Sequence, residues 1–165
     1  MTPRETKRVN VFLAGIIQGS KVEPAIHAQD WRGPIREALA RHAPRADVYC
    51  HYSEHPESIT YELPRIREVF AEGNRRAAAC DVLVAYVPSA SMGTAVEMHE
   101  AARNGAVVLA ITPLKANWVI RAYSDRIFET VEQFEAFLAA DELDTLLRAK
   151  GRGERPKGKG RSGQD

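Results

Sequence analysis

Several features are scarce or missing in this chain, and each absence narrows the reading. There are two cysteines, Cys50 and Cys80, with no CxxC pair, so neither a disulfide framework nor a zinc knuckle is indicated. No apolar run approaches the ~18 residues a membrane span needs, and Met1–Asn10 is too polar for a signal h-region. Together these predict an intracellular, cytoplasmic protein without membrane attachment. The five histidines, His27, His42, His51, His55 and His99, show no HExxH or paired-ligand spacing, and no metal site is expected. GxSxG is absent, so Ser91 or Ser58 would lack an elbow, and neither GxGxxG nor GxxxxGK[ST] occurs. Cys80 reads as a small core residue rather than a reactive thiol.

What remains is 165 residues, 44% apolar and 27% charged, the profile of one α/β domain. The net charge of +1 conceals an asymmetry. Residues 150–165 carry six basic and two acidic side chains, whereas 9–149 carry 14 basic and 19 acidic. An acidic body does not suit a nucleic-acid reader, whose folded face is basic, so no nucleic-acid partner is expected. The organisation read from this is a flexible N-terminus at 1–8, a single domain at 9–149, and a disordered basic tail at 150–165 too poor in apolar residues to fold.

Val9–Ala14 is a short apolar run that reads as a buried strand, followed by a loop from Gly15 to Gln29. A helix after Asp30, with Asp30 as N-cap, leads to a second strand at Ala46–Cys50. His51–Leu63 reads as a loop and Pro64–Ala79 as a helix. Asp81–Val87 is apolar on both faces, as central parallel strands are. Gly93–Asn104 is helical, Ala106–Ile111 is another buried strand, and a short strand near Ile127–Phe128 precedes one helix over Val131–Arg148. Thr130 and Gln133 form a capping-box pattern there. The alternation predicts a doubly wound, five-stranded parallel sheet with helices on both faces. Ligands in such folds sit beyond the strand C-termini, which singles out Gly15–Lys21, Pro88–Gly93 and Thr112–Trp118.

The segment Ser91-Met92-Gly93-Thr94-Ala95-Val96-Glu97 joins the central strand to the next helix. Free N–H groups at a helix start attract anions, and Gly93 permits close approach. Glu97, read as lying in the first turn, is expected to be held ionised by the helix dipole, suiting a nucleophile or a stabiliser of a cationic transition state. Thr94 and Glu97 equally fit a capping box, with Glu97 folded back on the Thr94 N–H. The first loop, GIIQGSK, could cradle one phosphate with Gly15, Gly19, Ser20 and Lys21, or be a plain surface loop.

Three segments together, VNVFLAG at 9–15, Asp81–Pro88 followed by SxGTxxEM at 91–98, and Ala106–Pro113, resemble the nucleoside 2-deoxyribosyltransferase superfamily over residues 9–140. The motifs are most similar to its nucleoside 5′-monophosphate N-glycosidase branch. The resemblance implies a flavodoxin-like fold, cleavage of an N-glycosidic bond, no metal or organic cofactor, and a homodimer or larger assembly whose sites are completed by a neighbouring subunit. It makes Glu97 the catalytic glutamate. It puts Ser91 at the position where nucleotide hydrolases have a phosphate-binding serine and nucleoside transferases an aspartate. An aspartate would repel a phosphate dianion, which a serine can serve as donor. Gln18 and Lys21 fall where arginines help to hold the phosphate, with Gly19 and Ser20 beside them. Gly15, Gly93 and Thr94 complete the implied binding set, and Asn117 falls where a side chain reaches the neighbouring subunit's substrate.

At two positions the sequence departs from that pattern. Phe12 stands where a tyrosine is frequent, and Gly73 stands where an aspartate protonates or orients the base. Glu72 is the one-residue-shifted substitute, with His55 or Glu57 as further candidates. The base pocket is expected at Phe12–Ala14 and the His51–Tyr61 segment. The resulting expectation is hydrolysis of a nucleoside 5′-monophosphate to free base and (deoxy)ribose 5-phosphate. Base exchange by a deoxyribosyltransferase and catalytically idle nucleotide binding are the rival readings.

Overall fold

The computed structural model describes residues 7–152; the first six residues and 153–165, most of the tail expected to be disordered, lie outside the described residues. The elements run β1 (Val9–Gly15), α1 (Arg32–His42), β2 (Ala46–Cys50), α2 (His51–Glu54), a 3₁₀ turn (Ser58–Thr60), α3 (Leu63–Ala79), β3 (Val82–Tyr86), α4 (Met92–Arg103), β4 (Val107–Ile111), α5 (Trp118–Tyr123), β5 (Arg126–Phe128), α6 (Val131–Ala139) and α7 (Glu142–Ala149). All strand pairs are parallel, in the order β2-β1-β3-β4-β5. The expected flavodoxin-like sheet is therefore present.

Side chains alternate across each strand, and the two faces build two cores. Val11 and Leu13 pack with Val82, Val84, Leu109, Ile35 and Leu39 of α1, and Phe134 and Leu138 of α6. Phe12 and Ala14 join Leu83, Ala85, Val108 and Ala110 against Ala77 of α3, Met98 and Ala101 of α4, and Ile120 of α5. The second face is built from small residues, so α3 and α4 approach the sheet closely. α1, which follows β1, covers one face and α4, which follows β3, covers the other, so the chain leaves β1 and β3 toward opposite sides. That makes their C-terminal ends the topological switch point.

Five local expectations change. α1 starts at Arg32 with Trp31 as N-cap and no side-chain cap; Asp30 instead accepts the Gly33 N–H through its backbone carbonyl at 3.3 Å. The segment 51–63 is not a plain loop but holds α2 and the 3₁₀ turn. The final helix is broken at Asp141, which takes φ 57°, so that Leu143 and Leu147 of α7 turn back onto the core. At α6 the Thr130 hydroxyl accepts from the Gln133 N–H at 3.2 Å, but the Gln133 side chain accepts from the Glu129 N–H at 2.8 Å, one residue before the box position. Lys150, placed in the tail by the sequence, donates to the Ala106 carbonyl (2.9 Å) and pairs with Asp125 (2.8 Å).

Candidate functional site

A cleft of about 460 Å³ opens at the switch point. One rim is Gly15–Gly19 after β1, the opposite rim is Ser91–Thr94 at the start of α4, and Glu97 stands one turn further along the same helix. The third wall comes from α2, the 3₁₀ turn and α3: His51, Ser58, Ile59, Tyr61, Ile66, Val69, Phe70, Gly73 and Asn74. This wall is mostly apolar, with His51, Ser58 and Asn74 among its polar groups, and the rims add Gln18, Ser91 and Thr94, the mixture usual in a small-molecule site.

The first rim is shaped by close packing. A Cβ on Gly15 would meet Trp31 Cζ2 at 2.7 Å and the Tyr86 carbonyl at 2.8 Å, so only glycine lets the indole seat against the strand end. Trp31 stacks on Tyr86 with centroids 4.6 Å apart. Gly19 takes φ +58°, and a Cβ there would lie 2.9 Å from His27 Nε2. Gln29 holds the loop from beneath, donating to the carbonyls of Ile16 and His27 at 2.9 Å each.

At the second rim the cap is Ser91, whose hydroxyl accepts the Thr94 N–H at 3.4 Å and lies 2.9 Å from the Thr94 hydroxyl. The Thr94–Glu97 capping box does not form, and Glu97 keeps its carboxyl for the cleft. α4 begins at Met92, so Glu97 lies beyond the first turn, where the helix-dipole argument for an ionised carboxylate fails. Burial decides instead. It pushes the Glu97 carboxyl up to about 8, against a smaller opposing pull from Arg32.

Arg32 is the feature the sequence reading missed. It is buried, donates from Nε to Gln29 Oε1 at 2.8 Å and from Nη1 to Cys50 Sγ at 3.2 Å, and lies 4.1 Å over the Trp31 ring. Burial lowers its own pKa below the usual guanidinium range. Nothing in the local pattern WRGP distinguishes it from a solvated helix-start arginine; only the packing of α1 against β2 encloses it.

Of the residues singled out from sequence, Gly15, Gln18, Gly19, Ser91, Gly93, Thr94 and Glu97 line one cleft. Others do not. Phe12 is buried in the sheet core against Tyr49, 5.3 Å between ring centroids, three residues before the end of β1 and outside the cleft lining. Ser20 and Lys21 are exposed past the Gly19 turn, outside the lining. Glu72 points away, bonded to Arg76 Nε at 3.1 Å and 4.0 Å from His55 Nε2. The Arg76 hydrogen bond holds its carboxyl below the ordinary range, ionised at neutral pH and so poorly suited as a proton donor. Asn117 caps α5, accepting from the Val119 and Ile120 N–H groups at 3.0 and 3.3 Å, and lines a neighbouring groove with Ser91 and Met92. His55 is buried beside Tyr61, while Glu57 is exposed and outside the lining. Of the two segments expected to form a base pocket, His51–Tyr61 contributes to the cleft lining and Phe12 does not.

Among the described residues no group of three or more histidine, cysteine or acidic side chains is gathered as a metal site, and no helix is long and apolar enough to cross a membrane.

No protein-family model matches the sequence, and no curated protein matches it significantly. Solved structures do match. BlsM superposes with TM-score 0.64 at 15% identity, over 93% of this chain and 99% of that one. A 2-deoxyribosyltransferase from the psychrotolerant bacterium Bacillus psychrosaccharolyticus gives 0.58 at 16% identity, over 78% and 95%. A conserved protein from Enterococcus faecalis V583 gives 0.56 at 16%, over 81% and 99%. The chain therefore has the flavodoxin-like α/β fold that the 2-deoxyribosyltransferase also adopts.

Proposed function

We propose that this protein cleaves the N-glycosidic bond of a nucleoside 5′-monophosphate by hydrolysis. The observation that carries the reading is the placement of a half-buried carboxyl, Glu97, in the same cleft as two anion-accepting rims and a mostly apolar wall. The phosphate is assigned to the Gly15–Gly19 backbone and the start of α4, where first-turn N–H groups lack helical partners, with the Ser91 hydroxyl adding a donor. The base lies against Ile59, Tyr61, Ile66 and Phe70. In this reading the anomeric carbon comes near Glu97, whose carboxylate form stabilises the developing oxocarbenium ion or attacks it. Water then supplies hydroxyl to the sugar and a proton to the base. Arg32 favours the ionised form that this step requires. The structural likeness to a 2-deoxyribosyltransferase supports nucleoside-type chemistry in this fold.

The reading includes a homodimer. Met92 and Trp118 are 82% and 86% exposed at the starts of α4 and α5, beside Asn117, and are assigned to contact with a second copy. Sedimentation velocity yielding a monomer at all concentrations contradicts that part.

The test is chromatographic detection of free base after incubation with ribo- and deoxyribonucleoside 5′-monophosphates and the matching nucleosides. Release from a monophosphate, little from its nucleoside, and loss in Glu97→Gln is the expected result. A new nucleoside on addition of a second base points to transfer. Tight monophosphate binding with no product refutes catalysis and leaves a binding module.

A further inference from the structure

We propose that His51 is a further catalytic residue, the hydrogen-bond donor to the departing base in the space that Gly73 leaves beside Glu97. This rests on the glycosidase reading above.

The space itself is the starting observation. A Cβ built on Gly73 would meet His51 Cε1 and Nδ1 at 3.4 Å and Glu97 Oε1 at 3.8 Å. Gly73 is buried within α3, where glycine costs about 1 kcal/mol relative to alanine. Its lack of a side chain leaves the imidazole as the polar group of this wall adjoining the carboxyl. His51 opens α2 and lines the cleft, together with Tyr61 of the same wall.

Its surroundings fix how it can act. His51 Nδ1 lies 3.3 Å from the Tyr49 hydroxyl. Burial raises the Tyr49 pKa, so the phenol keeps its proton, and we assign it as the donor of this pair. Nδ1 then accepts, and the ring proton sits on Nε2 as a donor for ligand. Burial, and next the neighbouring His55, push the imidazole down to about 4, so it is neutral at physiological pH. The groups facing it are Tyr49 of β2, His55 just after α2, Glu72 and Arg76 of α3, Arg32 of α1 and Glu97 of α4. His51 thus donates a hydrogen bond rather than acting as an imidazolium acid.

When the C–N bond breaks, its electron pair stays on the base, which becomes a stronger acceptor for Nε2–H. Water adds hydroxyl to the anomeric carbon, and its other proton ends on the base, so atoms and charge balance. A hydrogen bond that strengthens as charge develops accelerates the step.

The experiment compares His51→Ala and His51→Gln with the full-length protein on two classes of substrate. One class is the monophosphate cleaved by wild type. The other is nicotinamide mononucleotide and 7-methylguanosine 5′-monophosphate, whose bases leave as neutral molecules and need no donor. Expected is a roughly 10²–10³-fold fall in kcat for His51→Ala on the ordinary substrate. KM should change little, the cationic substrates should fall less than about tenfold, and the glutamine N–H should recover part of the loss. An equal fall on both classes, or none on either, overturns the role of His51 while the glycosidase reading stands. Wild-type protein inactive on every substrate overturns both.

Discussion

Glu97→Gln should stabilise this protein at neutral pH while abolishing base release. The reasoning starts from burial, which raises the Glu97 carboxyl from 4.5 to about 8. Between those values the unfolded chain has given up this proton and the folded chain has not. Stability therefore falls as pH rises from 4.5 to about 8, is unaffected by this group below 4.5, and is constant above 8. At about 1.4 kcal/mol per pH unit, the cost at pH 7 is about 3 kcal/mol and above pH 8 about 5 kcal/mol. Glutamine fills the same volume without ionising, so the variant gains about 3 kcal/mol at pH 7, about 6–12 °C in Tm for a chain of this length. The assay is thermal denaturation of both proteins from pH 4 to 9. Curves that separate above pH 4.5 and run parallel above pH 8 support the reasoning. A variant of equal or lower stability at pH 7, or a carboxyl titrating near 4.5 by carbon NMR, refutes it. Such an exchange of stability for a functional group is common in active sites.

The same shift predicts that base release rises with pH up to about 8, since the ionised form does the work; a flat pH–rate profile between 6 and 8 contradicts this. Arg32→Met removes the cation that opposes the shift, so the midpoint of that profile should move upward; an unchanged midpoint removes Arg32 from the account. Gly15→Ala forces a methyl against Trp31 and the Tyr86 carbonyl and should cost about 2–3 kcal/mol, whereas Gly33→Ala, with nothing within 4 Å, should gain up to about 1 kcal/mol; chemical denaturation compares the two. Glu72→Gln should retain base release within a few fold, because that carboxylate is engaged by Arg76 outside the cleft.

Alternation and length by themselves determined the fold. VNVFLA, DVLVAYV and AVVLAI are apolar on both faces, which only a sheet covered on both sides satisfies, and the helices between them force parallel pairing. The switch-point rule singled out three loops, of which those after β1 and β3 line the cleft, and the SxGTxxE spacing grouped Ser91, Gly93, Thr94 and Glu97, which line it together. Local spacing misjudged the state of Glu97, because the dipole argument counts positions along one helix while the pKa depends on what surrounds the carboxyl. Phe12 stays out of the cleft because it sits three residues before the end of β1, where the sheet is closed over by the packed core. Arg32 and His51 lie 65 and 46 positions before Glu97 in the sequence. Their meeting with it depends on how α1 closes over β2 and how α2 packs beside Gly73, and no pattern within a single segment encodes that. Burial, hydrogen bonding and the pKa values that follow are properties of the assembled neighbourhood, so tertiary structure alone decided the chemistry available in the cleft.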